Sequence, residues 1–150
     1  MNPLEQALEQ LRQALVEFVF LLEREAGALT EGRTDDLPAL IVEKTRWSET
    51  ANTAWNHLVV ASGIDIGQGE SLDGLLSGTP ALQSGWREVR QLAEKAERIN
   101  LVNSTLIEAQ LQRTRQALDV LQSAANRSAL YGANGRIVDG FQSGHTLDKA

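Results

Sequence analysis

The sequence contains no cysteine and only three prolines among its 150 residues, and aromatic residues make up 5% of it. The absence of cysteine excludes disulfide staples, thiolate metal sites and a cysteine nucleophile, and it fits a reducing compartment. With three Phe, three Trp and one Tyr, any core must rest on Leu, Val, Ile and Ala. Long apolar runs are missing as well. The longest, Phe18–Leu22, falls far short of the ~20 residues that cross a bilayer. No basic stretch precedes an apolar one near the N-terminus, so a secretory leader is not expected. Basic residues are the minority, 14 against 20 acids, for a net charge of −6. A surface that grips nucleic acid needs clustered Lys and Arg, so nucleic acid is not an expected partner. These absences leave an acidic, cytoplasmic protein without membrane insertion as the expectation.

What is present is helical periodicity. Leu4, Leu8, Leu11, Leu15, Phe18, Leu22 and Leu29 follow 4,3 spacing, broken only by Glu25. This seven-residue repeat keeps one apolar seam facing a partner. Ala7, Ala14, Leu21 and Ala28 widen the stripe. The pattern predicts a helix over about 3–30, ended by Gly32, which takes the left-handed cap conformation readily. A second helix over about 36–62 starts near Thr34, Asp35 or Asp36 as caps, with Pro38 in the first turn. Its seam runs Leu37, Leu40, Lys44, Trp47, Ala51, Ala54, Leu58 and Ala61, and Gly63 stops it. Lys44 is expected to pack its stem in the seam and send its ammonium to the rim. The short connection predicts an antiparallel hairpin.

Residues 63–79 hold five glycines, three acids and no basic residue, and read as a flexible loop with at most one helical turn around Leu72–Leu76. Thr79-Pro80 then opens a third helix, with Thr79 as its cap, running to about residue 128. Leu82, Val89, Leu92, Ala96, Ile99, Asn103 and Leu106 mark its first stripe. Ile107, Leu111, Thr114, Leu118, Leu121 and Ala125 carry the seam onward after a four-residue stutter. At ~1.5 Å per residue this helix is about 70 Å long against about 40 Å for each of the first two. The hairpin cannot cover all of it unless it folds back, so its second half offers an apolar stripe with no partner inside the chain. Residues 1–62 hold five basic and ten acidic side chains, and 80–128 hold seven basic and five acidic, which weakly favours docking of the third helix on the hairpin. The tail from Ala129 lacks an apolar face and is expected to be mobile. The expected fold is all-α: an elongated antiparallel three-helix bundle or coiled coil, residues 1–128, with a long third helix and a mobile C-terminal tail, residues 129–150.

Catalysis finds little support. His57 and His145 lack companions at metal-ligand spacing, so no metal and no cofactor are expected. The glycine cluster at 67–78 lacks the lysine and strand context of a phosphate loop. Adjacent carboxylates such as Asp35 and Asp36 point to different helix faces. Trp47, Trp55 and Trp86 read as core or rim anchors. Asn100 and Asn103 fall in the third seam, where a buried Asn specifies register; hydrogen bonding to a bound peptide is the other reading. The exposed stripe has two readings in turn. It can receive a segment of another protein, or it can bury itself against a second copy in a structural coiled-coil homodimer.

Together these features resemble the FlgN-type flagellar export chaperones. The resemblance is carried by Leu22-Glu23-Arg24-Glu25 to Leu29, then Gly32, Asp36, Leu37, Leu40 and Glu43-Lys44. Asn100 and Asn103 ahead of Leu106-Ile107 add to it, as does Leu130-Tyr131-Gly132-Ala133-Asn134-Gly135-Arg136. Ser104 departs from the glycine expected after the second Asn. The resemblance implies a cytoplasmic chaperone that binds the C-terminal segment of hook-associated proteins, blocks premature assembly and delivers them to the flagellar type III export gate. On that basis Ile107, Leu111, Thr114, Leu118, Leu121 and Ala125 are candidate client-binding residues. Tyr131, the only tyrosine, is the candidate gate contact.

Overall fold

A computed structural model describes residues 2–131, with the backbone alone given for Leu130 and Tyr131 and for Ile66. The described chain is helical without strands, and four helices follow one another. They are α1 (Pro3–Glu31), α2 (Leu37–Ser62), α3 (Leu72–Gly78) and α4 (Pro80–Tyr131). Single 3-10 turns at Thr34–Asp36 and Ile66–Gln68 sit in the connections. The chain divides into two compact units, residues 1–106 and 107–150, and α4 runs unbroken through the division.

The start of α1 is fixed by a reciprocal cap. Asn2 Oδ1 accepts from the Glu5 amide at 2.8 Å, and the Asn2 amide donates to Glu5 Oε2 at 3.2 Å. Two of the amides that a helix start leaves unsatisfied are thereby paired. Gly32 ends α1 at φ 72° and Gly63 ends α2 at φ 68°, the left-handed values that a side chain disfavours. Asp36 precedes α2 without a side-chain cap; its carboxylate instead accepts from Arg33 Nη1 at 3.0 Å. Thr79 holds the expected N-cap position of α4, with extended backbone and its carbonyl accepting from the Gln83 amide at 3.0 Å, but not through its side chain. Its hydroxyl donates to the Leu75 carbonyl at 2.8 Å and so closes α3.

Residues 63–79 are more ordered than a flexible loop. Ser71 caps α3 through its hydroxyl, which accepts from the Gly74 amide at 3.1 Å. Leu72 and Leu76 are buried in the main core. That core joins Leu8 and Leu11 of α1 to Leu58 of α2, Leu76 of α3 and Leu82, Trp86 and Val89 of α4. A second cluster packs Val19 and Leu22 of α1 on Ala96 of α4. A third packs Leu21 and Ala28 of α1 on Leu40 of α2. Every cluster therefore draws on α1, whose two apolar rows face different neighbours. Exposed pairs across the helices, Lys95 Nζ–Glu23 Oε1 at 2.9 Å and Arg12 Nη1–Glu88 Oε2 at 3.8 Å, add little, because solvent screens them.

Leu58 is fully buried whereas Val60, two residues on, is 80% exposed. Leu58→Ala should cost about 2–5 kcal/mol, the usual penalty of a cavity in a close-packed core. Val60→Ala should stay within about 0.5 kcal/mol. Thermal or urea unfolding followed by circular dichroism checks this, and comparable losses in both variants would contradict the packing of α2.

Candidate interaction surface and its anchor

The second unit is described only along α4. There Ile107 is 44% exposed, Leu111 48%, Leu118 53% and Leu121 64%. Thr114 and Ala125 are exposed too, and no side chain described between 107 and 129 is buried. The Thr114 hydroxyl donates to the Gln110 carbonyl at 3.0 Å, so its polar end is used within the helix and its methyl remains to extend the apolar row. All six candidate residues thus lie at 4,3,4,3,4 spacing on one continuous helix with accessible side chains. Val120, 64% exposed, lies outside that spacing. Tyr131 is the last residue of α4, and its side chain lies outside the described residues, as does His145.

In the first unit the seam of α1 is interrupted by a buried acid. Glu25 is 2% exposed and Asn103 fully buried. Asn103 Nδ2 donates to Glu25 Oε1 at 2.8 Å and to the Leu22 carbonyl at 3.0 Å. Lys44 Nζ reaches the same Glu25 oxygen at 3.3 Å. One carboxylate oxygen therefore ties α1 to α2 and to α4. Lys44 turns inward to this acid rather than simply reaching the rim, which gives the buried charge its counter-charge. Asn100, expected in the seam with Asn103, is exposed instead. The interval of three between them carries one Asn onto the packed face and leaves the other outside it. The Asn103 Oδ1 atom is buried and has no hydrogen-bond partner.

A second polar anchor holds α3. Asp73 Oδ1 accepts from the Trp86 indole Nε1 at 2.8 Å and from Arg90 Nη1 at 3.2 Å. Trp86 in turn stacks on Trp55, with ring centroids 6.5 Å apart. Trp86 is buried, Trp47 half-buried and Trp55 partly exposed, which makes them packing residues. The Asp73 carboxyl is held below the usual range, first by the Trp86 indole N–H and then by the charge of Arg90 and the Ser77 hydroxyl, against an opposing effect of burial. Sequence reading missed both anchors' acids. The available signals were an acid at a seam position, Glu25, and an acid in the first turn of a short amphipathic segment, Asp73.

Among the described residues, no group of three or more His, Cys, Asp or Glu side chains is placed to hold a metal ion. A groove of about 720 Å³ between α1 and α2, lined by Gln13, Glu17, Arg46, Trp47, Thr50 and His57, carries mixed charge. No described helix is long and apolar enough to cross a membrane.

Residues 1–138 of the sequence match the family described as FlgN protein. The chain belongs to the FlgN family. FlgN-family proteins are flagellar export chaperones, a family of chaperones and not of enzymes. Comparison with curated proteins and with solved structures returned no match. The FlgN match takes in all four helices, the Glu25–Asn103 anchor and the exposed row on α4.

Because the carboxyl of Asp73 is depressed in the folded state, its contribution to stability is present above its unfolded value, about 3.9, and is lost as pH falls through the lower folded one. Wild-type protein should therefore lose thermal stability below about pH 4 more steeply than Asp73→Asn. Melting curves from pH 5 to pH 2 measure this; parallel profiles for the two proteins would remove Asp73 as an acid-sensitive anchor.

Proposed function

We propose that this FlgN-family chain is a cytoplasmic export chaperone that holds the C-terminal segment of hook-associated proteins, prevents their premature assembly and delivers them to the flagellar type III export gate. The observation that carries this reading is the accessible row Ile107, Leu111, Thr114, Leu118, Leu121 and Ala125 on one continuous helix. A contiguous apolar row left in water marks an interaction surface. An amphipathic client segment, disordered when free, lays its own apolar face along such a row at i, i+3, i+4 and i+7 spacing.

The magnitudes suit a cargo that must be released. Covering what remains exposed of these four large side chains contributes about 3–6 kcal/mol, roughly half of the ~1.5–3 kcal/mol that full burial of each would give. Ordering the client segment costs about 2–5 kcal/mol, before the loss of translational freedom is counted. The row by itself therefore supports only weak binding, and the rest of the client interface must supply the remainder. In this reading residues 1–128 form the chaperone domain and 129–150 a mobile arm. Tyr131, at the junction, meets the export gate with an apolar ring and one hydroxyl, a combination suited to a transient contact.

Leu111→Glu combined with Leu118→Glu should weaken binding to a peptide of a hook-associated protein's C-terminal segment by at least about 100-fold, since each truncation at an interface centre costs on the order of 1–4 kcal/mol. Helical circular dichroism should stay near wild type, because neither side chain is buried. Retained binding would show that the client lies elsewhere. Light scattering at low concentration addresses the remaining occupant: a stable dimer that the same pair of substitutions dissolves would identify the row as a homodimer seam.

Tyr131→Ala should leave peptide affinity unchanged and reduce secretion of the hook-associated protein. Loss of peptide affinity in that variant would instead place Tyr131 on the client surface.

A further inference from the structure

Within the second unit the apolar surface of α4 is wider than the six-residue row. At ~3.6 residues per turn, Ala117, Val120 and Ala124 fall together along one flank of that row, and all three are exposed. With them the apolar sector between residues 113 and 127 spans about 160° of the helix, from Val120 round to Leu118. A strict heptad seam is narrower; sectors of at least ~100° belong to helices that face a core. Val120, 64% exposed, is the largest of the added side chains and has no place in a seam of one partner on the row alone.

Charge is arranged about the same sector. Arg113 and Arg127 stand seven residues to either side of Val120, on its edge of the sector, and Arg115 lies beyond the opposite edge, past Leu118. The one acid between residues 113 and 127, Asp119, falls about 180° from the middle of the sector. Among the described residues none of the three arginines makes an ion pair; Arg127 Nε donates to the Ser123 carbonyl at 3.4 Å, which leaves its charge uncompensated. In a chain of net charge −6 this is a local reversal of sign. A second copy does not answer it. Pairing the row antiparallel with itself sets Ile107 opposite Ala125, Leu111 opposite Leu121 and Thr114 opposite Leu118, and brings the two Arg115 side chains together beside the two-fold axis. In a parallel pairing the edges meet as Gln110 with Arg115 and Ala117 with Gln122, and no acid answers an arginine. A lipid surface fits less well than a protein segment. Helices that lie on membranes carry Lys and Arg across the polar face and Trp or Phe opposite; here the polar face is Gln116, Gln122 and Asn126 with Asp119, and residues 107–129 contain no aromatic.

We infer that the second unit's stretch of α4 takes an amphipathic segment whose apolar face is bordered by aspartate or glutamate, seated on the row and on Val120 together, with Arg113, Arg115 and Arg127 selecting its charge. The inference rests on the client-row reading and adds to it the chemistry of the client. Leu118 and Leu121 supply attraction to any apolar face, whereas the arginines distinguish an acidic border from a basic one.

Two synthetic amphipathic peptides with the same leucine face, one edged with Glu and one with Lys, test this by fluorescence anisotropy against the full chain at low salt. The whole-chain charge of −6 attracts the Lys-edged peptide at long range, so a preference for the Glu-edged one runs against that field and reports local charge. The Glu-edged peptide should bind about tenfold more tightly, the combined yield of three exposed ion pairs. Arg113→Gln, Arg115→Gln and Arg127→Gln together should abolish the preference with helical circular dichroism unchanged. Val120→Gln should weaken the Glu-edged peptide about fivefold. Equal affinities, or a preference for the Lys edge, overturn the acidic border; if Leu111→Glu with Leu118→Glu then still abolishes binding of both peptides, the client row stands without it. A Glu-edge preference that survives that pair of substitutions overturns the client row instead. Unchanged affinity in Val120→Gln overturns the wider seat. Co-sedimentation with phosphatidylserine vesicles, and with neither peptide bound, overturns a protein segment as the occupant.

Discussion

α1 is the element on which every packed cluster depends. Its residues enter the four-helix core, the cluster with α4 and the cluster with α2. The constraint is one of supply. A helix of 29 residues offers a finite length of apolar seam, while α4 has 52 residues with apolar positions along most of them. Burial of α4 is accordingly concentrated in Leu82, Trp86, Val89, Ala96 and Asn103, and the apolar residues from Ile107 onward are exposed.

Much of this was legible because it is local. The 4,3 spacing of α1, the glycines that end α1 and α2, and the proline that opens α4 act within one or two turns. Sequence distance from cause to effect is then a few residues. The four-helix count, the cap of α3 and the burial of Leu72 and Leu76 were less legible, because a seven-residue helix has too few turns to show a period. Glu25 read as a flaw in the heptad series. Its meaning depends on Lys44, 19 residues away, and on Asn103, 78 residues away, and no local pattern contains either. Asn100 and Asn103 looked equivalent for the same reason; which of two residues three apart is buried is decided by the facing helix. The candidate row was legible as a stripe, but its occupant was not, since a client helix and a second copy demand the same spacing.

The polar and apolar parts of the seam do different work. Leu22, fully buried one turn from Glu25, contributes stability without specifying what it faces, because any apolar neighbour of suitable size satisfies it. Glu25 and Asn103 contribute little net stability, since desolvation offsets most of their attraction. They are sensitive to misplacement, however, because each demands a particular donor or acceptor.

The same reasoning bears on the composition of the exposed row. A seam of leucine alone at 107, 111, 114, 118, 121 and 125 would favour permanent association, with a second copy as readily as with a client. Thr114 and Ala125 occupy two of those positions and offer less apolar area than leucine. Each such replacement removes roughly 1–2 kcal/mol of attainable burial, on the scale of ~0.8 kcal/mol per methylene. In the proposed reading, where the row holds a partner and then yields it, a weakened row is the useful one. The loss falls on every occupant alike, so it lowers residence time without improving discrimination.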